Sequence, residues 1–191
     1  MIGITGSIGA GKSLVGRILR DHKFCVIDAD AAVRDLYRDN NVLRTAIASE
    51  FGKDMLTEEG IDRKRMSDLV FSDDSCRKRL ESLVYPVLTA YVLRENPAFV
   101  EAALFENVPD LVAHLREIWV VEASEEVCLK RLVENRGFSE NDALRRIALQ
   151  RGRSAADYWE KEFPGKTVRF IDNSADETRL AEIIKLLIEE I

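Results

Sequence analysis

The sequence has no excess of basic residues. Its 191 residues carry 28 Lys and Arg against 34 Asp and Glu, a formal net charge of −6. A chain that grips a nucleic-acid backbone is ordinarily basic, so that function class is set aside and no nucleic-acid partner is expected. The acidic total leaves room for an anionic cofactor, because local charge decides that. Cysteine is scarce: Cys25, Cys76 and Cys128 lie far apart, are odd in number and form no C-x-x-C pair. This excludes a disulfide framework and a zinc site. They read as small buried apolar residues in a reducing cytosol. His22 and His114 are isolated and carry no role. No apolar run approaches the ~18 residues a membrane span needs. Met1 leads straight into a strand and a glycine-rich loop, a start unlike that of a signal peptide. A cytoplasmic protein is expected, free of any membrane and either monomeric or a weak homo-oligomer. There is no internal repeat and no low-complexity tract.

What is present is ordinary for a globular chain: 46% hydrophobic and 32% charged residues, in a length that suits one domain with one sizeable core. The β-rich run Ile2 to Thr5 ends in glycine, and Leu14, Val15, Ile18 and Leu19 then recur at helical spacing. Phe24 to Ile27 predicts a second buried strand and Ala29 to Arg38 a helix, so the chain opens β-α-β-α, the pattern of a parallel sheet under covering helices. From about 41 to 95 no strand is evident. That block reads as charged helix with a turn at Glu58-Glu59-Gly60, inserted into an α/β core. Strands resume at Ala98 to Ala103, Ile118 to Val121 and Val168 to Ile171. Ser124 and Ser139 read as helix N-caps, and Ser174 with Glu177 as an S-x-x-E capping box ahead of a last amphipathic helix.

The segment Gly6-Ser7-Ile8-Gly9-Ala10-Gly11-Lys12-Ser13 matches G-x-x-x-x-G-K-[ST] between a predicted strand and a predicted helix, the context that motif requires. Glycines let the backbone close around phosphates, and successive N–H groups at a helix N-terminus then face the anion. Lys12 is placed to reach the β- and γ-phosphates of ATP, and the Ser13 hydroxyl to bind the accompanying Mg²⁺. The nucleotide contacts expected of the loop run from Ser7 through Ile8, Gly9, Ala10, Gly11, Lys12 and Ser13 to Leu14.

The loop fixes nucleotide binding but not the fate of the nucleotide. Phe24-Cys25-Val26-Ile27 ends in Asp28-Ala29-Asp30. In an open α/β sheet, ligands sit beyond the carboxyl ends of the strands. If strand two lies beside strand one, a carboxylate there can orient an acceptor hydroxyl and take its proton. One of the two aspartates would do so, and the other would cap the following helix. Residues 130 to 153 hold seven basic side chains, Lys130, Arg131, Arg136, Arg145, Arg146, Arg151 and Arg153, against three acidic ones, a local charge of +4. A helix–turn–helix lid bent near Asn135-Arg136-Gly137-Phe138 would bring arginines over the transferring phosphoryl group. A GTPase-type switch would need a guanine-reading N-K-x-D, and the sequence has none. A small kinase acting on a nucleoside monophosphate or another metabolite shares every ATP feature and stays open at this point.

Together these pieces resemble the dephospho-coenzyme A kinase family. Ile2-Gly3-Ile4-Thr5-Gly6-Ser7-Ile8-Gly9-Ala10-Gly11-Lys12-Ser13 is similar to its G-x-T-G-x-I-G-S-G-K-S opening, and Val26-Ile27-Asp28-Ala29-Asp30 to its V-I-D-A-D. Leu104-Phe105-Glu106-Asn107, Val120-Val121, Leu129-Lys130-Arg131-Leu132, Arg136-Gly137, Gln150 and Ile171-Asp172-Asn173 follow later elements of its pattern. The resemblance implies ATP and dephospho-coenzyme A as substrates, with Asp30 as the acceptor-side base and Arg131 as a phosphate-contacting arginine. It places Asn173 near the adenine and leaves Arg136 as a possible lid contact. It implies a P-loop α/β core with a parallel sheet at about 1–40, 96–128 and 165–191, a helical acceptor-binding insertion at about 41–95 and a helical lid at about 129–164. Tyr85-Pro86 stands where the family has His-Pro, Ala102 where it has proline, and Leu14 where it has threonine. Ala156-Asp157-Tyr158 resembles its A-D-Y element but lies well ahead of Ile171-Asp172-Asn173, so only one of those two alignments holds.

Overall fold

The structure, a computed structural model, describes residues 1–154 and 157–191. Ala156 of the A-D-Y triplet therefore lies outside the described residues. In chain order the elements open with β1 (Ile2–Gly6), α1 (Lys12–Asp21) and β2 (Val26–Asp28). They continue with α2 (Ala29–Asp39), α3 (Asn41–Phe51), a two-stranded hairpin of β3 (Leu56–Thr57) and β4 (Gly60–Ile61), α4 (Arg63–Ser72) and α5 (Asp74–Glu95). Then come β5 (Phe99–Glu101), α6 (Pro109–Ala113), β6 (Glu117–Glu122), α7 (Glu125–Arg136), α8 (Glu140–Ala148), α9 (Tyr158–Glu162), β7 (Thr167–Asp172) and α10 (Glu177–Ile188). The described residues form two compact units, Met1–Asp28 with Pro97–Ile191, and Ala29–Asn96.

The first unit is built on a five-stranded parallel sheet in the order β2-β5-β1-β6-β7. Crossover from strand to parallel strand needs an intervening segment, which the helices supply. β1 and β5 are buried at every residue, as expected of central strands covered on both faces. Val15, Ile18 and Leu19 of α1 and Leu180 and Ile184 of α10 pack with Ile4, Phe99, Trp119 and Val121 of the sheet into one continuous core. Ser124 and Ser139 cap α7 and α8 as the sequence predicts, accepting from the N–H groups of Val127 and Asp142. Gly137, left-handed at φ 68°, makes the turn between those helices.

In the second unit α2, α3, α4 and α5 pack on one another around Leu43, Ile47, Leu80, Val84 and Leu88. Asn40, Asp62 and Asp73 each cap a helix through a side-chain oxygen. Pro86 lies inside the 22-residue α5. α2, read from sequence with the nucleotide core, packs here on α3 and α5.

Three local expectations are corrected. The second strand starts at Val26, because Lys23 turns the chain at φ 68° and leaves Phe24 outside the ladder, packed edge-on against Phe99. The block from 41 to 95 is not strand-free: the turn at Glu58-Glu59 closes a hairpin too short to show any alternation. The cap of α10 is Asp176, whose carboxylate accepts from the N–H of Arg179. Ser174 donates instead to Asp172 at 2.6 Å and accepts from the N–H of Ser124, while Glu177 pairs with Arg17 of α1 at 2.7 Å. Ser and Asp are both good caps, so sequence spacing alone could not choose between them.

Candidate active site

The chain reverses direction about β1: α1 leads to β2 on one side of it, and β6 follows on the other. That switch point is where an open α/β sheet leaves a crevice at its carboxyl edge. The loop leaving β1 fills it. Gly11 caps α1 in the left-handed region at φ 100°, where a Cβ would overlap the Asn173 amide. Gly6, at φ 145°, lies against the Val121 carbonyl with no room for a side chain. The loop closes on itself through Ala10 N–H to Ser7 O (3.2 Å) and Leu14 N–H to Gly11 O (3.0 Å). Lys12 Nζ donates to Gly6 O at 2.8 Å and to Ser7 O at 3.2 Å. Leu14 packs on the core rather than offering a hydroxyl.

Arg131 of α7 and Asn173, just past β7, converge on this loop from two directions. Arg131 donates to Ala10 O at 3.3 Å and to Asn173 O at 2.9 Å, and the Asn173 amide donates to Ala10 O at 2.7 Å. Asn173 is 1% exposed, and its own N–H donates to Glu122 O. Gln150, past the end of α8, accepts from the N–H of Ile8 at 2.7 Å. Ser7, Ile8, Gln150, Glu122 and Ser174 border a hollow of about 360 Å³ beside the loop. Cys128 lies against Gly9, and burial holds its thiol above the usual range, with Glu125 adding to the effect, so it is no activated nucleophile.

β2 is not beside β1. β5 sits between them, so the acid nearest the loop from that flank is Glu101, the last residue of β5. Ser13 Oγ donates to Glu101 Oε1 at 2.7 Å. Burial raises the Glu101 carboxyl above its ordinary value and the charge of Asp28, its register partner, adds to that, while the Ser13 hydroxyl, Lys12 and Arg20 oppose it. Sequence reasoning passed over Glu101. The available signal was an acid closing an apolar strand, and what hid it was the strand order. Ser13 and Glu101 together offer the hard oxygen donors that Mg²⁺ takes alongside nucleotide phosphates. No group of three or more His, Cys, Asp and Glu gathers to hold a metal unaided among the described residues.

Of the other basic residues in the 130–153 stretch, three are engaged within the protein. Arg151 pairs with Glu125 at 3.0 Å, Arg153 pairs with Glu106 and donates to Ala103 O, and Arg146 lies 4.7 Å over the Phe138 ring. Arg136 is exposed in the last turn of α7 and makes no hydrogen bond to the loop among the described residues.

β2 runs directly into α2, so Asp28 ends the strand and Asp30 lies in the first turn of the helix. Within the helical unit Asp30 lines a cleft of about 580 Å³ with Arg34, Arg63, Arg77, Tyr37 and Tyr85. Burial pushes the Tyr37 hydroxyl up to about 12, against the opposing charge of Arg63.

A glycine-rich phosphate loop at the switch point of a parallel sheet, followed by a helix bearing Lys12 and Ser13, defines a nucleotide-binding protein of the P-loop fold. Solved structures share that fold: TT1252 from Thermus thermophilus (TM-score 0.72, 27% identity, 100% of this chain and 96% of that one), the dephospho-CoA kinase of Campylobacter jejuni (TM-score 0.63, 24% identity, 99% and 95%) and the shikimate kinase of Acinetobacter baumannii (TM-score 0.54, 18% identity, 99% and 92%). Residues 1–161 match the family model for dephospho-CoA kinase. Curated relatives include the dephospho-CoA kinases of Parasynechococcus marenigrum (36% identity over 157 positions, 78% of this chain and 78% of that one) and Aquifex aeolicus (32% over 210 aligned positions, 100% and 96%). The chain belongs to the dephospho-CoA kinase family.

Proposed function

We propose that this chain is a dephospho-CoA kinase that transfers the γ-phosphate of ATP to the ribose 3′-hydroxyl of dephospho-coenzyme A, giving coenzyme A and ADP. The observation that carries the proposal beyond family membership is the clasp of Arg131 and Asn173 on Ala10. It holds a guanidinium and a buried amide against the same loop that, on this reading, wraps the ATP phosphates.

On this reading the loop from Ser7 to Leu14 binds the ATP phosphates, and Lys12 exchanges its two loop carbonyls for phosphate oxygens. Asp30 orients the acceptor hydroxyl and takes its proton during in-line transfer. Arg131 offsets charge on the moving phosphoryl group, and Arg136 remains a lid candidate on the lid's exposed turn. Mg²⁺ carried with ATP would be held by Ser13 and would neutralise charge developing on the phosphates. The cleft of Arg34, Arg63 and Arg77 in the helical unit suits an anionic acceptor, since guanidinium groups pair bidentately with phosphates. We place the protein in the cytoplasm as a monomer or weak homo-oligomer with no nucleic-acid partner. No helix among the described residues is long and apolar enough to cross a membrane.

An acceptor panel tests the reading. ADP release with ATP and Mg²⁺ should require dephospho-coenzyme A and be absent with nucleoside monophosphates or shikimate. Turnover of a nucleoside monophosphate in preference to dephospho-coenzyme A would overturn it.

A further inference from the structure

We infer that Arg153 is a positioning residue for phosphoryl transfer: with Gln150 it forms a bridge that fixes the loop leaving β5 against the phosphate loop. The inference rests on the kinase reading above and names a residue outside its substrate contacts.

Strand order gives the loop at 102–107 its place. β5 lies between β1, which ends in the phosphate loop, and β2, which ends in Asp28. Ligands of an open α/β sheet gather at this carboxyl edge. The loop is tied to β1 at its start by Ala102 N–H on Ile4 O at 3.0 Å, and further on by Phe105, which is buried against Gly3. The remaining hold comes from Arg153, which donates to Ala103 O at 3.1 Å and pairs with Glu106. In the same turn Gln150 accepts from Ile8 N–H at 2.7 Å, and Arg153 N–H closes that turn on Gln150 O at 2.9 Å. One turn of chain therefore grips the loops after β1 and after β5 at once.

The chemistry of the pair favours position over stability. The Arg153 and Glu106 side chains are only 12% and 14% exposed, and the Trp159 ring lies 5.8 Å from the guanidinium carbon. Glu106 Oε2 is buried without a hydrogen-bond partner among the described residues. A buried ion pair commonly adds no stability over apolar side chains of similar volume. What a guanidinium adds is geometry, because its rigid fork of N–H groups fixes several acceptors in one plane. Here those acceptors are Ala103 O and Glu106. Small displacements of reacting groups cost large factors in rate. A slack β5 loop would move the ground between the ends of β1 and β2.

Arg153→Lys is the test, since lysine keeps the charge and loses the fork. Wild type and variant are compared by thermal melting, by the Kd of ATP-Mg²⁺ from calorimetry, and by kcat on dephospho-coenzyme A well below the melting temperature. kcat should fall at least roughly ten-fold while ATP affinity stays close to wild type. An unchanged kcat with only the melting temperature lowered means a purely structural role and overturns the inference. ATP affinity falling as far as kcat overturns it too, because Arg153 would then serve the phosphate loop alone. Adding Gln150→Ala to Arg153→Lys should lower kcat by less than the product of the two single effects, since a bridge released at one end has little left to lose. The full product contradicts the bridge. Should Arg153→Lys not fold, Glu106→Gln, which keeps the shape and drops the charge, is read in the same way. Wild type that phosphorylates no dephospho-coenzyme A overturns the kinase reading together with the inference.

Discussion

Lys12 and Asp30 serve different halves of the proposed reaction, and single substitutions separate them. Lys12→Ala and Asp30→Asn should each lower turnover by at least roughly ten-fold while melting close to wild type, because on the proposed reading both side chains act on substrate, and neither belongs to the buried core. Steady-state kinetics beside thermal melts checks this, and near-normal turnover in Asp30→Asn removes its assignment as base. Gly11 is a backbone requirement of another kind. At φ 100°, with Asn173 against it, Gly11→Ala both strains the loop and displaces the amide that holds Ala10. Calorimetry should find ATP affinity at least roughly ten-fold weaker, a mutational loss of one to two kcal/mol in scale. Among residues, those within one contiguous motif were legible: the loop, Lys12 and Ser13. Arg131 and Asn173 were reached only through resemblance, since 42 residues of chain separate two groups that bond at 2.9 Å. Glu101 escaped because no spacing rule ties position 101 to position 13.

Elements were read well where periodicity is long and poorly where it is short. α1, α2 and the strands of the sheet appear where alternation and helical spacing placed them, give or take two residues, whereas the four-residue hairpin β3–β4 carries too few positions to show a period. Strand order is not encoded locally at all. Nothing between residues 24 and 28 announces that β5, some seventy residues later, will insert between β1 and β2. The capping of α10 gives a clean element-level test. Asp176→Ala should cost about 1 kcal/mol in chemical denaturation, the usual worth of an N-cap. The turn of Arg151–Ser154 is tied to the Phe105–Asn107 turn by the ion pair of Arg153 with Glu106, whose side chains are only 12% and 14% exposed. Arg153→Ala leaves that carboxylate buried without its partner and should cost about 3–5 kcal/mol, measured the same way.

At the scale of the whole molecule, charge buried at the carboxyl edge of the sheet links stability to pH. Glu122 ends β6 opposite Asp172 of β7, and its carboxyl is raised, first by burial and then by the Asp172 charge. A carboxyl raised in the folded state is protonated there before it is in the unfolded chain. Its ionisation therefore opposes folding as pH rises through and beyond the folded value, and costs nothing below the unfolded value. Glu122→Gln should thus melt above wild type at pH 8, with the gap closing as pH falls towards 4.5, near the ordinary glutamate value. A constant gap would mean that the charge on Glu122 is not the cause. The same edge collects Glu101, Asp28 and Asp172 beside a loop built for a polyphosphate. Anionic side chains there make sense when cations enter with the nucleotide.

The most direct measurement is product identification by ³¹P NMR after incubating the purified chain with ATP, Mg²⁺ and dephospho-coenzyme A. The account predicts one ADP for each new phosphomonoester, all of it on the ribose 3′-oxygen. Phosphate on any other atom, or ADP formed equally well without the acceptor, would contradict it.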